Sequence, residues 1–286
     1  MKVEDRLAEK KQMVERELER ILSRGQSVLC QAMRYSVFSG GKRFRPLLAL
    51  SSGESFGVRK EVVLPFACAV ELIHSYSLIH DDLPSMDDDD FRRGKPSCHK
   101  AYGESVALLA GDGLLTLAFE VMARAPLDEK DLWKKEQVIK TISTLAGIEG
   151  MIGGQILDIT SPLDKISEEK LYELILKKTG SLIMASVKIG AILGDATAVQ
   201  QEAIMEYGKY IGFAFQIKDD ILDSTKDMSQ GRLARPNFVL HFGIDEAKQR
   251  LSYFVEAGIK ALDEARIVSE EMCFMGQKLL EIEEKN

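Results

Sequence analysis

The segment EDRLAEKKQMVERELERILS places apolar side chains at Leu7, Met13, Val14, Leu18, Ile21 and Leu22 and charge on the positions between them. That spacing is the helical period with a charged opposite face. Comparable patterns predict helices over about 27–38, 44–55, 60–82, 103–124, 129–150, 167–190, 197–223, 244–262 and 265–283. No run of period-two alternation is bounded by turn residues, so strands are not needed. Pro46, Pro84, Pro96, Pro126, Pro162 and Pro236 fall near the proposed ends and connections, where proline is tolerated. No Ser/Gly/Pro-rich linker and no fixed repeat divides the chain. The pattern therefore predicts one all-α domain over residues 1–286, a bundle of about ten helices. Two segments, PFACAVELIHSYSLIH and IMASVKIGAILG, are apolar on most faces and must be surrounded by other helices.

Composition narrows the classes. A net charge of −7 and an isoelectric point near 5.4 argue against a nucleic-acid footprint. Cys30, Cys68, Cys98 and Cys273 form no CxxC pair and no zinc-ligand spacing with histidine, so they read as reduced thiols. The charged N-terminus lacks the apolar stretch of a signal peptide. The most apolar long window, VALLAGDGLLTLAFEVMA, is interrupted by Asp112 and Glu120 and makes a poor membrane span. A soluble, cytoplasmic protein with no membrane span and no nucleic-acid partner is expected.

Chemistry concentrates in two acidic stretches. LIHDDLPSMDDDDFRRGKP carries six aspartates between Asp81 and Asp90, followed by Arg92 and Arg93. It begins at the end of an apolar helix, an expensive place for idle carboxylates. Pro84 breaks that helix and lets Asp87 fold back toward Asp81 and Asp82. In FQIKDDILDSTKD, Asp219 and Asp223 are four apart and Asp220 and Asp223 three apart, so on a helix the three share one side. Oxygen-only ligands suit Mg²⁺, which takes one or two carboxylates together with waters and substrate phosphates. Cations suited to phosphate oxygens accompany them: Lys42, Arg43 and Arg45 in GGKRFRP, Arg92 and Arg93, and Lys177 and Lys178 in LKKTG. Arginine engages diphosphate bidentately, and Gly40 and Gly41 allow backbone to approach a ligand. Metal plus diphosphate is the reading these residues support.

GGKRFRP, ELIHSYSLIHDDLPSMDDDDFRRGKPSCHKAYGE, AGDGLL, GGQILDI, KKTGSL and FQIKDDILD stand in the order found in the trans-isoprenyl diphosphate synthases, and the chain resembles that family over nearly its whole length. The resemblance implies an all-α bundle around a deep central cavity, usually homodimeric. It implies condensation of isopentenyl diphosphate with an allylic diphosphate, dimethylallyl or geranyl, using three Mg²⁺ ions. By this resemblance Asp81, Asp82 and Asp87 face Asp219, Asp220 and Asp223 across the metals. Arg92, Lys178, Thr179 and Gln216 serve the allylic diphosphate, while Gly41, Lys42, Arg45, His74 and Arg93 match the isopentenyl diphosphate site. Taken alone, His74 reads as a hydrogen-bonded core histidine, and Thr179 as a turn residue beside Gly180. Gln155 and Asp158 read equally as a buried polar pair or as contacts to the site. Asp88, Asp89 and Asp90 read as supporting charge, and Arg92 and Arg93 as answering diphosphates rather than aspartates.

Residues before Asp81 on the same helix project deeper into the bundle. Tyr76, five positions back, is bulky enough to stop a growing hydrocarbon, and Ser77 beside it is small. This pattern resembles bacterial farnesyl diphosphate synthases more than geranylgeranyl enzymes and favours a fifteen-carbon product. After DDILD the chain departs from the family. A Gly-Lys lysine has no clear counterpart, unless Lys226 or Arg232 replaces it. Arg235, Asn237 and Phe238 stand near the family's Lys-x-Thr-Tyr. Three alternatives remain: a geranylgeranyl diphosphate synthase, a terpene cyclase, opposed by DDILD and GGKRFRP, and a low-activity regulatory subunit, supported only by the shortened 224–238 loop.

Overall fold

The computed structural model describes residues 1–161, 166–230 and 237–282, with no side-chain detail over 224–230. Its helices are α1 (Val3–Leu22), α2 (Val28–Val37), α3 (Phe44–Ser55) and α4 (Lys60–Asp81), then a hairpin of β1 (Phe91–Arg92) and β2 (Lys95–Pro96). There follow α5 (Cys98–Tyr102), α6 (Glu104–Arg124), a 3₁₀ turn (Glu129–Asp131), α7 (Leu132–Ala146), α8 (Met151–Thr160) and α9 (Glu168–Ile175). A π turn (Leu176–Gly180) leads into α10 (Ser181–Leu193), α11 (Ala198–Gln230), α12 (Phe238–Phe242), α13 (Ile244–Glu264) and α14 (Glu270–Gln277). The chain divides into two compact units, Met1–Leu50 with Arg59–Ile139, and Ser51–Val58 with Lys140–Asn286.

The long helices lie where periodicity predicts them, and the differences have local causes. The antiparallel β1–β2 pair is only two residues a side, too short to leave an alternating pattern. α5 and α12 have five residues each, less than two turns, so no stripe can repeat. The predicted 129–150 helix stops at Ala146 and restarts at Met151. Gly147 and Gly150 lie in the break, and Gly150 approaches the Leu145 carbonyl so closely that a Cβ would sit 1.9 Å from it. α11 runs past the expected 223 to Gln230. Pro162, Lys226, Arg232, Arg235 and Pro236 lie outside the residues described to the side chain.

In the first unit, α1 turns Val14, Leu18, Ile21 and Leu22 inward, and Ser27 caps α2 by accepting from the Cys30 amide at 3.2 Å. α4 and α6 are both long and apolar enough to cross a membrane, more than the sequence window suggested. α4 spends that character inside its unit, where Phe66, Ala67, Cys68, Ala69, Val70, Leu72 and Ile73 are fully enclosed. Arg43, expected as a phosphate cation, is instead a buried joint. Its guanidinium donates to Glu15 and Glu71, each at 2.7 Å, and to the Val37 carbonyl at 2.7 Å. It thereby ties α1, the end of α2 and α4 together. The pair with Glu71 leaves each side chain 1% and 3% exposed, and such pairs are strongly sensitive to loss of one partner because the other charge stays buried.

In the second unit, α10 is enclosed from Ser181 to Leu193 apart from Met184 and Lys188, as its composition requires. Rings of Tyr172, Phe213, Phe238 and Phe254 meet edge-on or tilted at centroid distances of 5.0–6.1 Å. Arg250 covers the Phe242 ring at 4.0 Å and binds Glu168 at 2.7 Å and Glu246 at 2.6 Å. This arrangement holds α12 against α9 and α13.

Replacing Arg43 by methionine removes the partner of a buried carboxylate. Urea denaturation should show a loss of about 3 kcal/mol or more; a loss under about 1 kcal/mol would mean that Arg43 is not a joint of this unit.

Candidate active site

The first acidic stretch is built by a helix end and a hairpin. α4 stops at Asp81, and the Met86 amide donates to the Leu83 carbonyl at 2.8 Å. The Asp87 amide then donates to the Asp81 carbonyl at 2.9 Å, so the chain folds back as Pro84 predicts. Asp81 and Asp87 are half-buried, whereas Asp82 is 2% exposed. Arg93 and Gly94 turn the hairpin with φ of 54° and 77°, the positive φ pair of a two-residue hairpin turn. That turn carries Arg92 back onto Asp82.

Arg92 donates through Nε to Asp82 Oδ1 at 2.9 Å, through Nη2 to the same oxygen, and to Asp89 at 3.3 Å. Arg92 thus does answer an aspartate in this structure: it is ion-paired to Asp82. The physical reason is burial, which pushes the Asp82 carboxyl above its ordinary range despite the guanidinium beside it. A charge so enclosed needs a countercharge from its own fold.

Arg93 donates to the Gly40 carbonyl, and its guanidinium lies over Gly41, where a Cβ would sit 2.9 Å from Nη1. Arg45, Arg93, Arg43 and Arg92 act together on His74, and desolvation followed by those four positive charges holds its imidazole well below the ordinary value. His74 is thus neutral near pH 7, a hydrogen-bonding group inside a cationic pocket. The structure brings Gly41, Arg45, His74 and Arg93 together, while Lys42 is exposed on the turn before α3. Tyr76 is 5% exposed with a hydroxyl that has no partner, and burial raises its pKa to about 12. Ser77 donates back to the His74 carbonyl at 3.0 Å.

The second stretch rests on a π turn. The Ser181 amide reaches back to the Leu176 carbonyl, inserting one extra residue into the α9–α10 run. Such turns frequently mark functional sites because they shift side-chain register. Two glycines let helices close on this turn. A Cβ on Gly154 of α8 would lie 2.2 Å from the Lys178 amide nitrogen, and one on Gly212 of α11 would lie 2.6 Å from Gly180 Cα. Only hydrogen fits at either place. The close approach sets a relay: Thr179 Oγ1 donates to Gln216 Oε1 at 2.6 Å, and Gln216 Nε2 donates to Asp220 Oδ1 at 2.8 Å. The other Asp220 oxygen accepts the Phe238 amide at 2.7 Å.

Asp220 is consequently 7% exposed, and burial pushes its pKa up to about 6, with Asp219 and Asp223 adding to the rise. Asp219 is half-buried and Asp223 exposed, so the three carboxylates do not share one environment. Lys178 binds Asp158 at 2.5 Å. Asp158 thus pairs with Lys178, while Gln155 Nε2 is buried without a partner.

Sequence reasoning missed three connections. Asp158 as the counter-ion of Lys178 was visible only as one member of GGQILDI. The Asp220 bond to the start of α12 joins residues eighteen apart and leaves no periodic signal. His99, 6% exposed, lies with its ligand nitrogen within 4.8 Å of carboxylate oxygens of Asp88 and Asp90, and only the histidine in GKPSCHK hinted at it. Asp81, Asp82 and Asp87 in one unit, and Asp219, Asp220 and Asp223 in the other, offer carboxylate oxygens without sulfur, which suits magnesium.

Comparison with known proteins defines the class. The family model for polyprenyl synthetase matches residues 26–272. The farnesyl diphosphate synthase of Geobacillus stearothermophilus is 41% identical over 280 residues, 93% of each chain. A chloroplastic geranylgeranyl pyrophosphate synthase of Catharanthus roseus is 42% identical over 77% of this chain, which spans 64% of that relative. The solved geranyltransferase of Legionella pneumophila superposes with a TM-score of 0.86 at 32% identity, covering 97% of this chain and 96% of that one. The chain belongs to the polyprenyl synthetase family. Its all-α architecture is the isoprenoid synthase fold.

Proposed function

We propose that this prenyltransferase condenses isopentenyl diphosphate with dimethylallyl or geranyl diphosphate, head to tail, and releases mainly farnesyl diphosphate. The observation that carries the reading is a diphosphate-type cation held ready in each unit: Arg92 on Asp82 of the first aspartate motif, and Lys178 on Asp158, next to the Thr179–Gln216–Asp220 chain that reaches the second motif. Residues 26–272 match one family model continuously, which supports reading residues 1–286 as a single synthase domain.

Asp81, Asp82 and Asp87 of the first unit and Asp219, Asp220 and Asp223 of the second are the carboxylates that would hold Mg²⁺, three ions by family likeness. Bound magnesium supplies positive charge to the departing diphosphate. Asp82 and Asp220 also orient their neighbours through Arg92, Gln216 and the Phe238 amide. Arg92, Lys178, Thr179 and Gln216 receive the allylic diphosphate, and these positive and hydrogen-bonding groups stabilise the charge that grows as its C–O bond breaks. Gly41, Lys42, Arg45, neutral His74 and Arg93 bind isopentenyl diphosphate, whose double bond attacks the allylic carbon and then loses a proton. Water is kept out because it would quench the cation.

Tyr76 is the floor that stops the hydrocarbon, and Ser77 leaves room beside it. A second reading, a twenty-carbon product, rests on the likeness to geranylgeranyl synthases. We place the enzyme in the cytoplasm as a soluble homodimer. Supporting self-association, α8 and the turn before it expose Ile148, Ile152, Ile156 and Ile159 at 43–79%, and α6 exposes Leu108 and Leu109 at 47% and 56%. A groove of about 490 Å³ beside α6 is lined by Leu29, Met33, Leu109 and Leu117. Sedimentation equilibrium should find two chains per particle; a single chain at micromolar concentration would remove the dimer.

Incubation with Mg²⁺, isopentenyl diphosphate and labelled geranyl diphosphate should give a fifteen-carbon diphosphate, and Tyr76→Ala should give products of twenty carbons or more. Cyclic hydrocarbon would make the protein a cyclase, and no turnover without a partner would make it a subunit. Unchanged product length in Tyr76→Ala would place the floor elsewhere.

A further inference from the structure

Tyr76 has an unusual status for a side chain assigned to set a length. Its hydroxyl is buried and unpartnered, so no hydrogen bond fixes the ring, and only packing decides where it stands. One neighbour that supplies such packing is His80, one turn further along the same face of α4. The two rings meet edge to face, 5.7 Å between centroids and 77° between planes.

His80, unlike Tyr76, is anchored. Its Nε2 lies 3.0 Å from the Leu108 carbonyl of α6, a distance at which an Nε2–H donates to that oxygen. Asp112 approaches the same nitrogen at 3.9 Å. The imidazole occupies the place a side chain would take at Gly111: a Cβ there would sit 2.1 Å from Nε2 and 2.4 Å from Cδ2. α6 therefore carries a notch at Gly111, His80 fills it, and the outer edge of His80 braces the Tyr76 ring.

We propose that His80, seated in the Gly111 notch, is a positioning residue for product length, acting through Tyr76. The inference rests on the reading of Tyr76 as the floor. Tyr76 supplies the bulk and His80 its stiffness. A phenol ring free to swing aside admits a longer chain, because a flexible side chain excludes an apolar tail far less firmly than a fixed one. The histidine preceding the aspartates thus serves the far end of the substrate, not the diphosphate end. Gly111 is a specificity determinant although it lies on a different helix from Tyr76.

The test reads product ratios, which a loss of folded protein or of turnover does not move. His80→Ala, Gly111→Ala, Tyr76→Ala and the double variant His80→Ala/Tyr76→Ala are each given Mg²⁺, isopentenyl diphosphate and geranyl diphosphate. The alcohols released by phosphatase are then separated by chain length. Gly111→Ala leaves Tyr76 and His80 in place chemically and adds a residue favourable to helix, yet it must push the imidazole out of its notch.

Expected is a rise of roughly tenfold in the twenty- to fifteen-carbon ratio for His80→Ala and for Gly111→Ala, the discrimination an apolar pocket wall commonly provides. The double variant should match Tyr76→Ala alone, since a brace has no effect once the braced ring is gone. If Tyr76→Ala lengthens the product while both other single variants keep the parent ratio, the brace is wrong and the floor stands. A double variant that lengthens beyond Tyr76→Ala also overturns it, because His80 would then act independently. Unchanged length in Tyr76→Ala itself removes the floor and the brace together.

Discussion

Asp82 keeps only 2% of its surface in contact with solvent, and a carboxylate so placed must be paired or give up its charge. Its partner is Arg92, delivered by a hairpin whose strands are two residues long. Much of the first unit's local architecture serves that pair. α4 ends where the carboxylate is needed, Pro84 forces the return of Asp87, and the positive φ values of Arg93 and Gly94 reverse the chain. The second unit solves the same problem with different parts: Lys178 on Asp158, and a Thr179–Gln216–Asp220 relay ending on the Phe238 amide.

These pairs explain how so many charges tolerate enclosure before any substrate arrives. An arginine or lysine already desolvated and oriented by a carboxylate loses less freedom on meeting a diphosphate than one waving in solvent. Glycine determines how closely this can be built. Without Gly154 and Gly212 the π turn could not sit between α8 and α11, and Thr179 would not reach Gln216. Around His74 the logic differs: desolvation, and then the positive charges of Arg45, Arg93, Arg43 and Arg92, keep the imidazole neutral, leaving a polar donor or acceptor without an added charge.

Much of this was legible in the sequence because it is periodic or compositional. The enclosed helices α4 and α10 announced themselves by being apolar on most faces, and the clustered aspartates by their number. What periodicity cannot encode is contact between distant residues and structure shorter than two turns. Arg43 looked like one more phosphate cation in GGKRFRP, and only the fold reveals Glu15 and Glu71 around it. Asp219, Asp220 and Asp223 looked equivalent by spacing, yet α12 covers Asp220 and leaves Asp223 exposed. The hairpin that turns Arg92 toward Asp82 is invisible for the same reason as α5 and α12: it is too short to repeat.

The central claim is that each aspartate motif, with the cation resident in its own unit, is built to bind diphosphate together with magnesium, so that metal and diphosphate strengthen each other's binding. Calorimetric titration with inorganic pyrophosphate, with and without Mg²⁺, tests it most directly. The account predicts that Mg²⁺ tightens pyrophosphate binding by roughly tenfold or more, and that pyrophosphate tightens Mg²⁺ binding by the same factor. Pyrophosphate affinity that is indifferent to Mg²⁺ would contradict it.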